Sequence, residues 1–328
     1  MIRRLMHIAA VAFAVIAFAA FTLGAPFASA EEYPTQPVRI VIGFGPGSSA
    51  DITSRALGQR MSQILGQQFV VEIKPGAASG VAAEQVARAP KDGYTLFLAS
   101  SANLTNQAIN PKAPFDMVRD FAPIALATSV PIMLVAHPSL GVNNVQELIA
   151  RAKSKPGEVL YASTGVGTAP HLSGELFAQR AGVKLVHVPY QGSPQAATDL
   201  LAGRVSIMFS PISAVAAHVE AGKLKGLASA TSKRPAIAPN LPTMAEAGMP
   251  DFDTSIWFGL VAPAGTPREI IDKLSRAVAE AQKSEEVLKI LRTQGFEAIT
   301  GGPDEFAKSM QSEIKRWNAV AQAAGLKK

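Results

Sequence analysis

From residue 38 onward the apolar positions come in short blocks that alternate between two periods. Val38–Ile42 is a β-branched run bounded by Pro37 and Gly43, which predicts a buried strand. Ile52, Ala56, Leu57, Met61, Ile64 and Leu65 then recur about every 3.6 residues and stop at Gly66, which predicts a helix. The same alternation continues. Strands are expected at 69–73, 94–99, 159–163, 184–188, 205–209, 224–229 and 255–262. Helices are expected from 80 through Ala87, after an Asn144–Glu147 capping pattern, from about His171, over 194–201 with Ser193 as cap, and over 214–220. Thr266-Pro267-Arg268-Glu269 reads as a cap for a helix with Ile270, Ile271, Leu274 and Val278 on one face. A short helix follows at 285–292, and a last one turns Phe306, Met310, Ile314, Trp317 and Val320 inward.

Strands alternating with helices predict an α/β fold of parallel, doubly wound sheets, whose ligands sit beyond the carboxyl ends of the strands. The apolar run 124–136, interrupted at Thr128, Ser129 and Pro131, is read as a crossover between two domains, and 255–262 as the strand that crosses back. Residues 233–248, rich in Pro and Ala, are read as a surface connection. The helices after residue 266 then pack on the first domain and leave a hinged cleft. The expected boundaries are 31–131 plus 256–328 for domain 1 and 132–255 for domain 2.

Two strand–loop–helix junctions carry the chemistry. In the first, Phe44, Gly45, Pro46, Gly47, Ser48 and Ser49 lie between the strand and the helix that contains Asp51. In the second, Thr164, Gly165, Val166, Gly167 and Thr168 lead into a helix near His171. A glycine-rich loop brings backbone N–H groups and a helix N-terminus to one point, and that point attracts anions. The reading is that unpaired amides of two facing loops hold a ligand carboxylate. Neither loop completes a dinucleotide fingerprint, because Ser48 stands at the third glycine and Pro46 lacks an N–H; no cofactor is expected. Ser48-Ser49-Ala50-Asp51 reads as a capping box in which Asp51 stabilises the helix start by about 1 kcal/mol. The other reading has Asp51 orient water or a ligand amino group. His137, His171, His187 and His218 form no metal-ligand pair; His171, at a helix start, touches ligand or is held structurally in its turn. Trp257 and Phe44 line either the cleft or the core.

Composition sets the destination. Arg3 and Arg4, an apolar stretch at 5–21 and Ala28-Ser29-Ala30 before Glu31-Glu32 read as a signal peptide over 1–30 that is cleaved on export, rather than a retained membrane anchor. The 328-residue length suits two domains of about 150 residues each. The formal charge of +6 is scattered, without a basic stripe, so nucleic acid is not an expected partner. With no cysteine, disulfides and thiolate metal sites are excluded. A periplasmic location follows.

The segments 33–38, 45–51, 91–96, Val186-His187-Val188-Pro189-Tyr190-Gln191-Gly192 and Trp257 through Pro267 resemble, in order and over the whole chain after the signal, the substrate-binding receptors of tripartite tricarboxylate transporters, the Bug receptors. The resemblance implies a two-lobed, type II periplasmic-binding-protein fold: two α/β domains joined by two crossover segments and closing on a small organic acid. It implies a monomer that works with integral-membrane transporter subunits and holds the ligand carboxylate through loop amides and ordered water. Carried over by position, residues 44–51 and 164–171 form the two gripping loops. Ala77, Ser79, Ser101, Asn103, Tyr190, Gln191, Phe209 and Ser210 shape the distal half. Ser48 and Ser49 replace glycines common in the family. Ser210 replaces a frequent aspartate, which argues against an amino-acid ligand. A secreted serine hydrolase and a ligand sensor for a membrane signalling protein are the competing functions.

Overall fold

The computed structural model describes residues 33–110, 112–231 and 233–323. The expected signal peptide lies outside them. Both sheets lie in one compact unit that begins at Gln36.

The first sheet begins with β1 (Val38–Ile42), flanked by β2 (Phe69–Ile73) and β3 (Thr95–Ser100), all parallel. Val38, Ile40, Val41 and Ile42 are buried while Arg39 reaches the surface, where it pairs with Glu72 at 3.3 Å. A strand covered on both faces needs this nearly continuous apolar run. Beyond β3 the sheet changes direction. β10 (Ile256–Pro263) runs antiparallel to β3 and to β4 (Phe121–Val130), and β11 (Glu297–Ala298) pairs antiparallel with β4. The order is β11-β4-β10-β3-β1-β2. The second sheet has the order β7-β6-β8-β5-β9, from β5 (Ile132–Ala136), β6 (Leu160–Ser163), β7 (Val186–Pro189), β8 (Ile207–Pro211) and β9 (Lys225–Ser229). β7, β6 and β8 are parallel, and β5 is antiparallel to β8 and β9.

The sheets are thus mixed, with parallel cores extended by antiparallel strands. β5 and β10, the first strands after each change of lobe, run antiparallel to both their neighbours. The apolar run 124–136 is the end of β4 and all of β5, and the chain passes from one sheet to the other within it, at Pro131; proline has no N–H for a ladder, so it suits that point. The return runs from β9 to β10. Its Pro- and Ala-rich part is not merely superficial: Leu241, Met244 and Met249 are buried, and Ser229 and Thr243 form a parallel bridge.

The helices are α1 (Ser49–Leu65), α2 (Gly80–Ala87), α3 (Ser101–Ile109), α4 (Val145–Ser154), α5 (Ala169–Ala181), α6 (Ser193–Leu201), α7 (Ala216–Glu220), α8 (Arg268–Ala281), α9 (Glu285–Thr293) and α10 (Pro303–Ala323). Asn144 caps α4 by accepting from the Glu147 amide at 2.8 Å. Two expected caps differ. Ser193 is the first residue of α6, after Gly192, and Thr266 donates its hydroxyl to the Pro263 carbonyl instead of capping α8. Phe306, Met310 and Trp317 of α10 join Phe97, Phe121 and Val261 in the core of the first lobe. That core also takes in Leu172 of α5, from the second lobe.

Candidate functional site

Each junction folds around a hydrogen bond spanning four residues. In the first, Ser48 caps α1 by accepting from the Asp51 amide, and Asp51 Oδ2 accepts from the Gly47 amide at 2.9 Å. This is a capping arrangement reaching one residue beyond the expected box. Arg55 donates to the other oxygen, Oδ1, at 2.6 Å. In the second, the Gly167 amide donates to His171 Nδ1 at 3.1 Å. Both glycines have positive φ, +73° and +81°, the left-handed region that favours glycine. The amides of Gly47 and Gly167 are therefore already used inside their own loops. Of the loop amides expected to meet a ligand, these two are engaged, because the helix-start side chains reach back to them first.

The open donors lie one step further along. The starts of four helices surround a small pocket of about 30 Å³. Ser48, Ser49 and Ala50 come from α1, and Ser100, Ser101 and Ala102 from α3. Thr168, Ala169 and Pro170 come from α5, and Gly192 and Ser193 from α6. Pro211, Ile256 and Phe258 complete the wall with Phe44 and Thr164. Each helix turns the positive end of its dipole, and first-turn N–H groups without intrahelical acceptors, toward one point. The Ser101 hydroxyl, in the same wall, is buried and has no hydrogen-bond partner. The volume suits one small anionic group.

Phe44 and Thr164 also line a second cavity of about 580 Å³. Gly43, Pro75, Gly76, Ala77, Ala78 and Ser79 form one wall; Asn106, Ile109 and Asn110 of the α3 end form another; Gly165, Val166, His171, Tyr190 and Gln191 come from the second lobe. Ala77, Ala78 and Ser79 have φ of +47°, +50° and +72°, a left-handed turn that costs non-glycine residues about 1–2 kcal/mol each. Asn106 Nδ2 holds the turn by donating to the Ala77 carbonyl at 2.6 Å, and Asn103 Nδ2 donates to the Ser79 carbonyl at 3.4 Å.

Of the residues expected from sequence, Phe44, Ser48, Ser49, Ala77, Ser79, Ser101, Thr164, Gly165, Val166, Thr168, His171, Tyr190 and Gln191 line these two cavities. Gly45, Pro46, Gly47, Asp51, Asn103, Gly167, Phe209, Ser210 and Trp257 line neither. Asp51 and Asn103 are consumed in loop bonds; Asn103 Oδ1 also accepts from the Ser100 amide. Gly167 instead meets the other lobe, where an added Cβ would sit 2.8 Å from Ile109 Cδ1. Phe209 stacks on Phe252 in the second lobe, and Ser210 donates to the Pro211 carbonyl. Trp257 is a core residue, edge-on to Phe306 with its indole N–H on Glu313. Sequence reading missed Asn106, Ile109 and Asn110, because their signal is only a helix end. It also missed Gly192 and Ser193 as part of the anion pocket, although the Pro194 after them marks a helix start.

The electrostatics favour an anion. Among the described lining residues there is no Asp, Glu, Lys or Arg. His171 is neutral: burial lowers its pKa to about 4, and Nδ1 must be unprotonated to accept from Gly167. His187, stacked on it at 4.2 Å, is lowered to about 4 by burial and then by His171 beside it. His187 Nε2 shares a hydrogen bond with Ser163 Oγ at 2.6 Å, but Ser163 is fully buried and takes the Gly165 amide as well. Neither Ser163 nor His187 lines either cavity.

Residues 53–326 match the model of the tripartite tricarboxylate transporter family receptor. The chain is 36% identical over 301 residues to protein BugT of Bordetella pertussis, covering 91% of this chain and 92% of that protein. Two solved structures superpose closely. One is Rpa4515 of R. palustris with adipate (TM-score 0.86, 36% identity, 90% of this chain and 99% of that one). The other is the periplasmic binding protein BugD (TM-score 0.85, 30% identity, 90% and 99%). With its two mixed α/β lobes and its four converging helix starts, this chain belongs to the tripartite tricarboxylate transporter receptor family of periplasmic solute-binding proteins.

Proposed function

We propose that this receptor captures a small organic acid between its lobes and delivers it to the integral-membrane subunits of a transporter. The carboxylate sits where α1, α3, α5 and α6 begin, and the rest of the molecule occupies the adjoining cavity. The convergence of four helix N-termini on a pocket of about 30 Å³, with the unpartnered Ser101 hydroxyl in its wall, carries this reading. The adipate in the related Rpa4515 structure supports it. The two sheets act as hinged lobes with boundaries near 131/132 and 255/256. The protein works in the periplasm as a monomer after loss of residues 1–30, and binds its ligand without turning it over. A hydrolase reading gains nothing from the buried Ser163–His187 pair.

A thermal-shift screen of organic acids tests the proposal. Stabilisation by a true ligand rises with the logarithm of its concentration above Kd. No shift with any carboxylate, or consumption of the bound acid, would refute it.

A further inference from the structure

The segment 190–193 gives residues to both cavities: Tyr190 and Gln191 to the larger, Gly192 and Ser193 to the smaller. It joins the end of β7 to the start of α6, so its placement sets where α6 points its first-turn amides. On the backbone it is held by the Tyr190 amide, which donates to the Ser163 carbonyl at 3.1 Å. The Tyr190 side chain adds a second hold. It packs against the core cluster that includes Ala196 and Leu200 of α6, and its hydroxyl donates to Asp199 Oδ2 at 2.8 Å. Positions 196, 199 and 200 share one face of a helix, so Tyr190 is folded back along the helix that it precedes. Asp199 is fixed in turn. Just past the end of α6, Gly203, with a φ of +70°, turns the chain back. Arg204 then meets Asp199 twice: its amide donates to the Asp199 carbonyl at 2.9 Å, and Arg204 Nη1 donates to Oδ1 at 2.7 Å. One carboxylate oxygen is thus given to Arg204 and the other to Tyr190. Neither Asp199 nor Arg204 lines either cavity.

We infer that Asp199 is a positioning residue for ligand capture: from outside the cavities it clamps Tyr190, and so holds the 190–193 wall and the start of α6 in place. Its effect on ligand rests on the carboxylate reading, whereas the clamp itself does not. A hydroxyl on a carboxylate is a charge-assisted, directional bond, and Arg204 keeps that carboxylate from turning away. Releasing the clamp loosens the wall without deleting any group that lines a cavity.

The parent, Asp199→Ala and Asp199→Asn are compared by calorimetry with adipate and by amide hydrogen exchange. Asp199→Ala is expected to weaken adipate binding about tenfold and to speed exchange of the Tyr190 amide about tenfold. The Val186 amide, bonded to the Val159 carbonyl at the other end of β7, is expected to keep the parent rate. Asp199→Asn retains an acceptor for the Tyr190 hydroxyl and should restore both values. Tyr190→Phe removes that hydroxyl alone and should weaken binding as much as Asp199→Ala, with no further loss in the double variant. A lowered melting temperature with adipate affinity and Tyr190 exchange at parent values would reduce Asp199 to a stability role and overturn the inference. Losses that add in the double variant would overturn it too. If the parent itself does not bind adipate, the exchange comparison alone decides the clamp, so its failure and that of the ligand reading are told apart.

Discussion

Asp51 and His171 hold equivalent stations, each in the first turn of a helix and each accepting the amide of the glycine four residues back. They differ in charge. Asp51 is balanced by Arg55, whereas His171 is kept neutral by burial, with His187 stacked on it and the carboxylate of Glu175 3.9 Å from Nε2. The depressed pKa of about 4 for His171 and His187 makes stability pH-dependent. Their contribution is complete above the unfolded value near 6.5. It falls toward pH 4, because the unfolded chain binds protons there that the folded chain refuses, by up to about 1.4 kcal/mol per pH unit for each histidine. Denaturant titrations at pH 7, 5.5 and 4.5 should show this loss. His171→Asn keeps an acceptor for Gly167 without the titration, and should flatten the curve relative to the parent. Ser101→Ala should do the reverse of a usual core change. It removes an unpartnered buried hydroxyl, so the free protein keeps its melting temperature or gains slightly, while ligand affinity measured by calorimetry drops about tenfold.

At the level of elements, the left-handed turn at 77–79 is wedged against the end of β1. A Cβ on Gly43 would meet Ser79 Oγ at 2.0 Å and its Cα at 2.4 Å. Gly43→Ala should therefore cost about 1–3 kcal/mol of stability, read by chemical denaturation, and weaken ligand binding by displacing that wall. Sequence periodicity placed β1, β2 and the start of α4 at the observed residues, because a buried apolar run and an Asn–Glu cap are local signals. It could not foresee the turn at 77–79. Alanine and serine normally avoid positive φ, and what holds them there are Asn103 and Asn106, contributed by α3 after another strand has intervened. Strand direction was hidden for a similar reason: β10 is apolar throughout whichever way its neighbours run.

For the whole molecule, contacts across the cleft join the lobes. Ser49 Oγ lies 3.4 Å from Ser213 Oγ, and the Thr105 hydroxyl donates to the Gly167 carbonyl. The small pocket exists only while both lobes contribute, since α1 and α3 belong to one and α5 and α6 to the other. Thr105→Val removes a cross-lobe hydrogen bond without changing the pocket wall. Ligand release measured by stopped-flow fluorescence should quicken severalfold, while binding stoichiometry stays the same.

The sequence alone determined that this chain builds two α/β lobes and that glycine-rich junctions at 43–51 and 164–171 lead into helices, because strand burial, helix period and loop composition are written locally. It pointed to an anion through those same loops. The tertiary structure decided which donors remain open. Gly47 and Gly167 look free until Asp51 and His171 fold back on them, and α3 and α6 reach the pocket only through the sheet order and the closing of two lobes. Hydrogen-bond donors are committed by neighbours distant in the chain, so the pattern along the chain shows where amides gather, and only the folded arrangement shows which of them are left for a ligand.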